Sequence, residues 1–182
     1  MHAIFYVTGG CRSGKTRFAM DLAESTASSG RVYLATCEPV DAEMKRRVAR
    51  HRNERGSGWR TVEEPLDLTG TLTRIAGDAS VVLIDCFTLW VSNRMMAGDT
   101  ETDIRSHAKA LMEVIGMRVC PVVMVSNEVG WGIVPEHPLS RAFRDILGEV
   151  NQFLARAADT AVLMASGMPV YLKGSSVSSE VR

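Results

Sequence analysis

The chain has 182 residues, 46% of them hydrophobic and 23% charged, and its 21 basic residues balance 21 acidic ones to a formal charge of +0. That is the composition of an ordinary globular chain with material for one core and little room for a second. A neutral chain with 6% aromatics has neither the global field for nucleic acid or an anionic membrane nor the rings of a base-stacking platform, so no nucleic-acid partner is expected.

Residues 4–8 form a short apolar run ending in Gly9-Gly10, the pattern of a buried strand meeting a turn. A helix is predicted from Lys15, with Phe18, Ala19, Leu22 and Ala23 on one face and Ser28-Ser29-Gly30 closing it. Residues 32–35 read as a second strand. Pro39 breaks the chain, and Asp41 is a suitable N-cap for a helix over 41–55. Residues 59–63 alternate as a strand does, and Pro65 is expected to open another short helix.

Residues 80–85 are the clearest buried strand, four apolar residues ended by Asp85. Helical patterns follow over 88–96 and 103–117, then a buried strand over 121–126. A loop holding Gly130, Gly132, Pro135 and Pro138 leads to a helix over 139–158, a strand over 160–165 and an edge strand over 170–172. Continuously apolar strands alternating with helices describe a mostly parallel sheet covered on both faces, a three-layer α/β/α arrangement. One domain over 1–173 is expected, with a polar, serine-rich and disordered tail over 174–182.

The apolar start over residues 1–7 is too short for a signal sequence and lacks basic flanks, and no apolar run approaches the roughly 18 residues of a membrane span. A cytoplasmic location with no membrane span is the expectation. Cysteines at 11, 37, 86 and 120 form no C-x-x-C pair, so they are expected as small core or site-lining residues rather than zinc ligands or disulfides.

Gly9-Gly10-Cys11-Arg12-Ser13-Gly14-Lys15-Thr16 fits G-x-x-x-x-G-K-[ST], the P-loop, and lies between a predicted strand and a predicted helix. In such a loop backbone N–H groups converge on phosphate oxygens at the positive end of the following helix. Lys15 is expected to reach the β- and γ-phosphates and Thr16 to ligate Mg²⁺. Asp85, ending a buried strand, stands where a second carboxylate anchor for that metal belongs, or alternatively caps the helix that follows.

Six of the residues from 45 to 55 are basic, within a neutral chain. On a helix, Met44, Val48, His51 and Arg55 share one stripe, with Arg46, Arg50 and Asn53 pointing elsewhere. One reading is a solvated basic face with a histidine at its edge. The other is an anion-handling helix whose arginines bind phosphates while His51, kept neutral by neighbouring positive charge, acts as a nucleophile.

Val7-Thr8-Gly9-Gly10 with Arg12-Ser13-Gly14-Lys15, Asp41-Ala42-Glu43-Met44 leading to His51-Arg52, Ser126-Asn127-Glu128-Val129-Gly130 with Gly132-Ile133-Val134-Pro135, and Arg141-Ala142-Phe143-Arg144-Asp145 with Val150-Asn151 together resemble the bifunctional adenosylcobinamide kinase/adenosylcobinamide-phosphate guanylyltransferase family. The likeness runs over about residues 4–173, and its glycine loop and R-x-x-x-H-R helix are more specific than the P-loop. It implies a RecA-like P-loop NTPase fold and two reactions of cobalamin nucleotide-loop assembly. A nucleoside triphosphate, ATP or GTP, first phosphorylates adenosylcobinamide. GTP then donates GMP to adenosylcobinamide phosphate through a GMP-histidine intermediate, giving adenosylcobinamide-GDP and pyrophosphate.

The resemblance carries the nucleophile's role to His51 and the nucleotide contacts to Gly9, Gly10, Cys11, Arg12, Ser13, Gly14, Lys15, Thr16, Thr36, Cys37, Glu38, Arg52, Asn53, Glu54, Arg55, Glu63 and Asp85. Thr16 and Asp85 would hold Mg²⁺, and the family's members form homotrimers. Two other functions stay open on the residues alone. A plain P-loop kinase would use the arginine-rich helix as a lid and need no histidine nucleophile. A GTP-gated binding module would use the glycine loop as a switch and turn nothing over.

Overall fold

The computed structural model describes residues 2–38, 46 and 56–175. Seven strands form one sheet: β1 (Ile4–Gly9), β2 (Arg31–Ala35), β3 (Trp59–Glu63), β4 (Val81–Asp85), β5 (Val122–Val125), β6 (Thr160–Ala165) and β7 (Met168–Lys173). Their order is β3-β2-β4-β5-β1-β6-β7, parallel throughout except for β7, which returns antiparallel to β6. The described helices are α1 (Lys15–Thr26), α2 (Leu68–Ile75), α3 (Phe87–Met96), α4 (Glu101–Gly116) and α5 (Pro138–Ala157).

Successive strand residues point to opposite faces, and the central strands are apolar on both. Ile4, Tyr6, Val82, Ile84, Val122 and Met124 meet α2, α3, α4 and α5 through Leu72, Trp90, Leu111 and Val150. Phe5, Val7, Leu83, Val123 and Val125 meet α1 through Ala19, Leu22 and Ala23. The expected three-layer α/β/α sandwich with a mostly parallel sheet is therefore observed. No helix among the described residues is long and apolar enough to cross a membrane.

Three boundaries move by two residues or more, each for a local reason. Pro65 does not open α2. The Glu64 carboxylate accepts the N–H groups of Leu66 and Asp67, and Asp67 is the N-cap, accepting from Gly70 N at 2.9 Å. Helix α4 starts at Glu101 because Thr100 and Asp103 form a reciprocal capping box. Strand β7 is longer than 170–172 because Ser166 (φ 53°) and Gly167 (φ 84°) supply the two positive φ angles of a tight hairpin turn. Of the polar tail, residues 176–182 lie outside the described residues.

Candidate active site

The C-terminal ends of parallel strands open onto a crevice, the usual ligand edge of an α/β sheet. Strand β1 delivers the P-loop there. Gly9 has φ 149°, and a Cβ at this position would stand 2.4 Å from the Met164 carbonyl oxygen of β6 and 2.8 Å from Ser13 Oγ. No side chain can be added without moving the backbone. The hairpin after β6 also braces the loop, with Gly167 N donating to Ser13 O at 3.1 Å.

Helix α1 starts at Lys15 with Gly14 as N-cap, no side-chain cap and no acidic residue in its first turn. Its first N–H groups are thus left for an anion, and the helix dipole favours one. Lys15 is buried and its Nζ donates to Gly10 O across the loop at 2.8 Å. Burial lowers its pKa below the ordinary lysine value, with Asp85 opposing the shift.

The other end of the site is assembled from three elements. Thr16 Oγ1 donates to Asp85 Oδ2 at 3.0 Å, and Tyr33 OH donates to the same oxygen at 2.6 Å. Thr36 holds the chain after Asp85: its N–H donates to Asp85 O, and its Oγ1 accepts from Cys86 N and donates to Cys86 O. A hydroxyl and a carboxylate are hard oxygen donors of the kind that hold Mg²⁺ beside substrate phosphates. Among the described residues no cluster of three or more His, Cys, Asp or Glu could hold a metal ion; the Thr16 hydroxyl and the Asp85 carboxylate, in contact, suit a cation that takes its remaining oxygens from a nucleotide and water.

Cys37 and Glu38 continue from Thr36 along the same edge, half-buried and exposed respectively. Glu63 ends β3 in register with Ala35 of β2, which itself pairs with Asp85. The structure thus brings Thr16 and Asp85 into contact and sets Thr36, Cys37, Glu38 and Glu63 along their edge. His51, Arg52, Asn53, Glu54 and Arg55 lie outside the described residues. A hollow of about 420 Å³ between Gly30, Arg31, Gly58, Trp59 and Asp78 opens at the opposite edge of the sheet and carries none of this chemistry.

Two groups of side chains at this edge carry no role in the sequence reading, although Thr8, Ser126, Glu128 and Asn151 lie in motifs that carry the resemblance. Tyr33 orients Asp85 from β2. A polar cluster also sits where β5 ends beside β1: Thr8 Oγ1 donates to Glu128 Oε1 at 2.8 Å, Asn151 Nδ2 donates to the same oxygen at 3.3 Å, and Ser126 Oγ donates to Asn151 Oδ1 at 2.6 Å. One signal was available. Asn151 lies on the core stripe of α5 with Ile146, Leu147, Val150 and Leu154, and a buried amide there needs partners. Beyond Glu128 the glycine loop carries Trp131, Ile133 and Val134 to solvent, 73%, 98% and 61% exposed.

The sequence model of the family described as "Cobinamide kinase / cobinamide phosphate guanyltransferase" matches residues 5–172. The chain is 40% identical over 170 residues to the Pseudomonas aeruginosa "Bifunctional adenosylcobalamin biosynthesis protein CobP", covering 92% of this chain and 96% of that one. It is 41% identical over 180 residues to the Escherichia coli "Bifunctional adenosylcobalamin biosynthesis protein CobU", covering 92% and 98%. In fold it is similar to the flagellar accessory protein FlaH of Methanocaldococcus jannaschii, with a TM-score of 0.56 at 10% identity over 94% of this chain and 78% of that one. That likeness is one of fold, a mostly parallel sheet layered with helices. On the sequence matches, the chain belongs to the cobinamide kinase/cobinamide phosphate guanyltransferase family.

Proposed function

We propose that this protein catalyses two successive transfers to one acceptor. It phosphorylates the hydroxyl of adenosylcobinamide with ATP or GTP, then transfers GMP from GTP to adenosylcobinamide phosphate, releasing pyrophosphate. The observation that carries this reading is the Thr16–Asp85 contact beneath a P-loop in a chain of this family. The P-loop residues Gly9 to Thr16 and the edge formed by Thr36, Cys37, Glu38, Glu63 and Asp85 bind the nucleotide in both half-reactions. When bound at Thr16 and Asp85, Mg²⁺ neutralises charge on the phosphates.

In the second reaction His51 is the nucleophile. A ring nitrogen attacks the α-phosphorus of GTP, the bond to the pyrophosphate oxygen breaks, and a phosphoramidate forms. An oxygen of adenosylcobinamide phosphate then displaces the imidazole. Lys15 and the basic residues from Arg52 to Arg55 offset the charge on the leaving pyrophosphate. Dividing the displacement lets one nucleotide site serve a very large acceptor. Residues 1–173 act as one catalytic domain, and the working enzyme is a cytoplasmic homotrimer.

Incubation with Mg²⁺ and GTP radiolabelled in the α-phosphate tests the second half. Label that survives SDS and is lost in acid supports the GMP-histidine route. An unlabelled protein that still binds GTP would reduce the function to a kinase or a gated binder. The exposed Trp131 offers a broad ring face to a large acceptor. Trp131→Ala is expected to raise KM for adenosylcobinamide by about tenfold, the scale of one lost aromatic contact, with KM for the nucleotide unchanged. An unchanged acceptor KM would remove Trp131 from the acceptor site.

A further inference from the structure

We propose that Glu128 is the general base of the phosphoryl-transfer step, receiving the proton of the acceptor hydroxyl. The proposal rests on the kinase half of the reading above. Among the described residues two carboxylates contact the P-loop or the residue before it. Asp85 is occupied by Thr16 and Tyr33 on the metal side. Glu128 stands on the other side, where its own N–H donates to Gly9 O at 3.1 Å and Thr8 Oγ1 donates to its Oε1 at 2.8 Å. Gly10, next in the loop, accepts from Lys15 Nζ, the group that meets the β- and γ-phosphates of a bound triphosphate. Glu128 therefore borders the transferring phosphoryl group rather than the base of the nucleotide.

Its orientation is fixed. Oε1 accepts from both Thr8 and Asn151, and the Asn151 amide is held by Ser126 at its oxygen and by Asn127 O at its nitrogen. Oε2 accepts no hydrogen bond among the described residues and is left to face an incoming hydroxyl. The chain then runs directly into the solvent-exposed stretch at Trp131, Ile133 and Val134, an exposed apolar patch of the kind that marks an interaction surface. Base and acceptor surface are thus consecutive in the chain, and the donor site adjoins them through the β1–β5 pairing.

The step balances without a further reactant. The acceptor oxygen bonds to the γ-phosphorus, the bond from that phosphorus to the β,γ-bridging oxygen breaks, the nucleoside diphosphate leaves with the electron pair, and the hydroxyl proton passes to Glu128 Oε2.

Glu128→Gln keeps an acceptor for Thr8 and Asn151 and removes the base. Phosphorylation of adenosylcobinamide by this variant is expected to fall about 100- to 1,000-fold in kcat. Binding of the fluorescent analogue mant-ATP is expected to stay within about threefold of wild type. A Gln variant that phosphorylates within about threefold of wild type overturns the proposal. So does one that loses mant-ATP binding in parallel, because the carboxylate would then be serving the fold of the loop. Wild-type protein that binds mant-ATP yet phosphorylates no adenosylcobinamide would instead remove the kinase reading, and this role with it.

Discussion

Lys15→Ala is expected to disable both half-reactions together, lowering kcat/KM for phosphorylation and for GMP transfer by about three orders of magnitude. The side chain is only 8% exposed and lies across the P-loop on Gly10 O. Its ammonium reaches into a cradle of backbone N–H groups, and removing it takes away a positive charge that faces the β- and γ-phosphates. Lys15→Arg is expected to rescue poorly, because a guanidinium needs more room than this buried position has.

The lowered pKa adds a signature. Nucleotide binding needs the charged form, and burial makes that form give up its proton at a lower pH than an exposed lysine would. Wild-type affinity for mant-ATP should therefore weaken with rising pH before the ordinary lysine range is reached. That limb should be absent in Lys15→Ala. A variant retaining turnover within about tenfold of wild type would place the donor site elsewhere.

His51→Ala is expected to separate the two activities. Labelling from α-labelled GTP should vanish and GMP transfer should drop by about four orders of magnitude or more, the scale of losing a covalent nucleophile. Phosphorylation of adenosylcobinamide should stay within a few-fold, since that displacement passes through no imidazole. The other histidines are poor substitutes. His2 precedes β1 at the far edge of the sheet, His107 is exposed on α4, and His137 is the N-cap of α5. Label retained in His51→Ala, or lost together with phosphorylation, would refute the division of labour.

The parts of this site built from contiguous sequence were legible before any coordinates. A run of apolar residues, a glycine-rich octapeptide and an amphipathic segment state their own arrangement, because turn geometry and helix polarity are local properties. What the sequence does not write is which strand lies beside which. Tyr33 reaches Asp85 across 52 positions only because β2 pairs with β4, and Thr8 reaches Glu128 across 120 only because β5 inserts between β4 and β1. Apolar strands of this kind are interchangeable by pattern, so such partners were invisible. Local competition explains the smaller miss at Pro65, where a helix-starting proline lost to an aspartate with a better-placed oxygen.

The phosphate cradle and the glycine loop are rooted in neighbouring strands and meet at the strand ends, through Thr8, Gly9 and Glu128. The return leg of the glycine loop is held elsewhere, by Arg141 of α5 on the carbonyls of Pro135 and Glu136. Loops at strand ends vary without disturbing the ladder beneath them. In evolutionary terms this separates two choices. With the glycine loop proposed as the acceptor surface, a lineage could remodel the stretch from Val129 to Glu136 for a different acceptor while inheriting its phosphate cradle unchanged. The spacing between donor and acceptor would remain that of two hydrogen-bonded strands, and a descendant would not have to rediscover it.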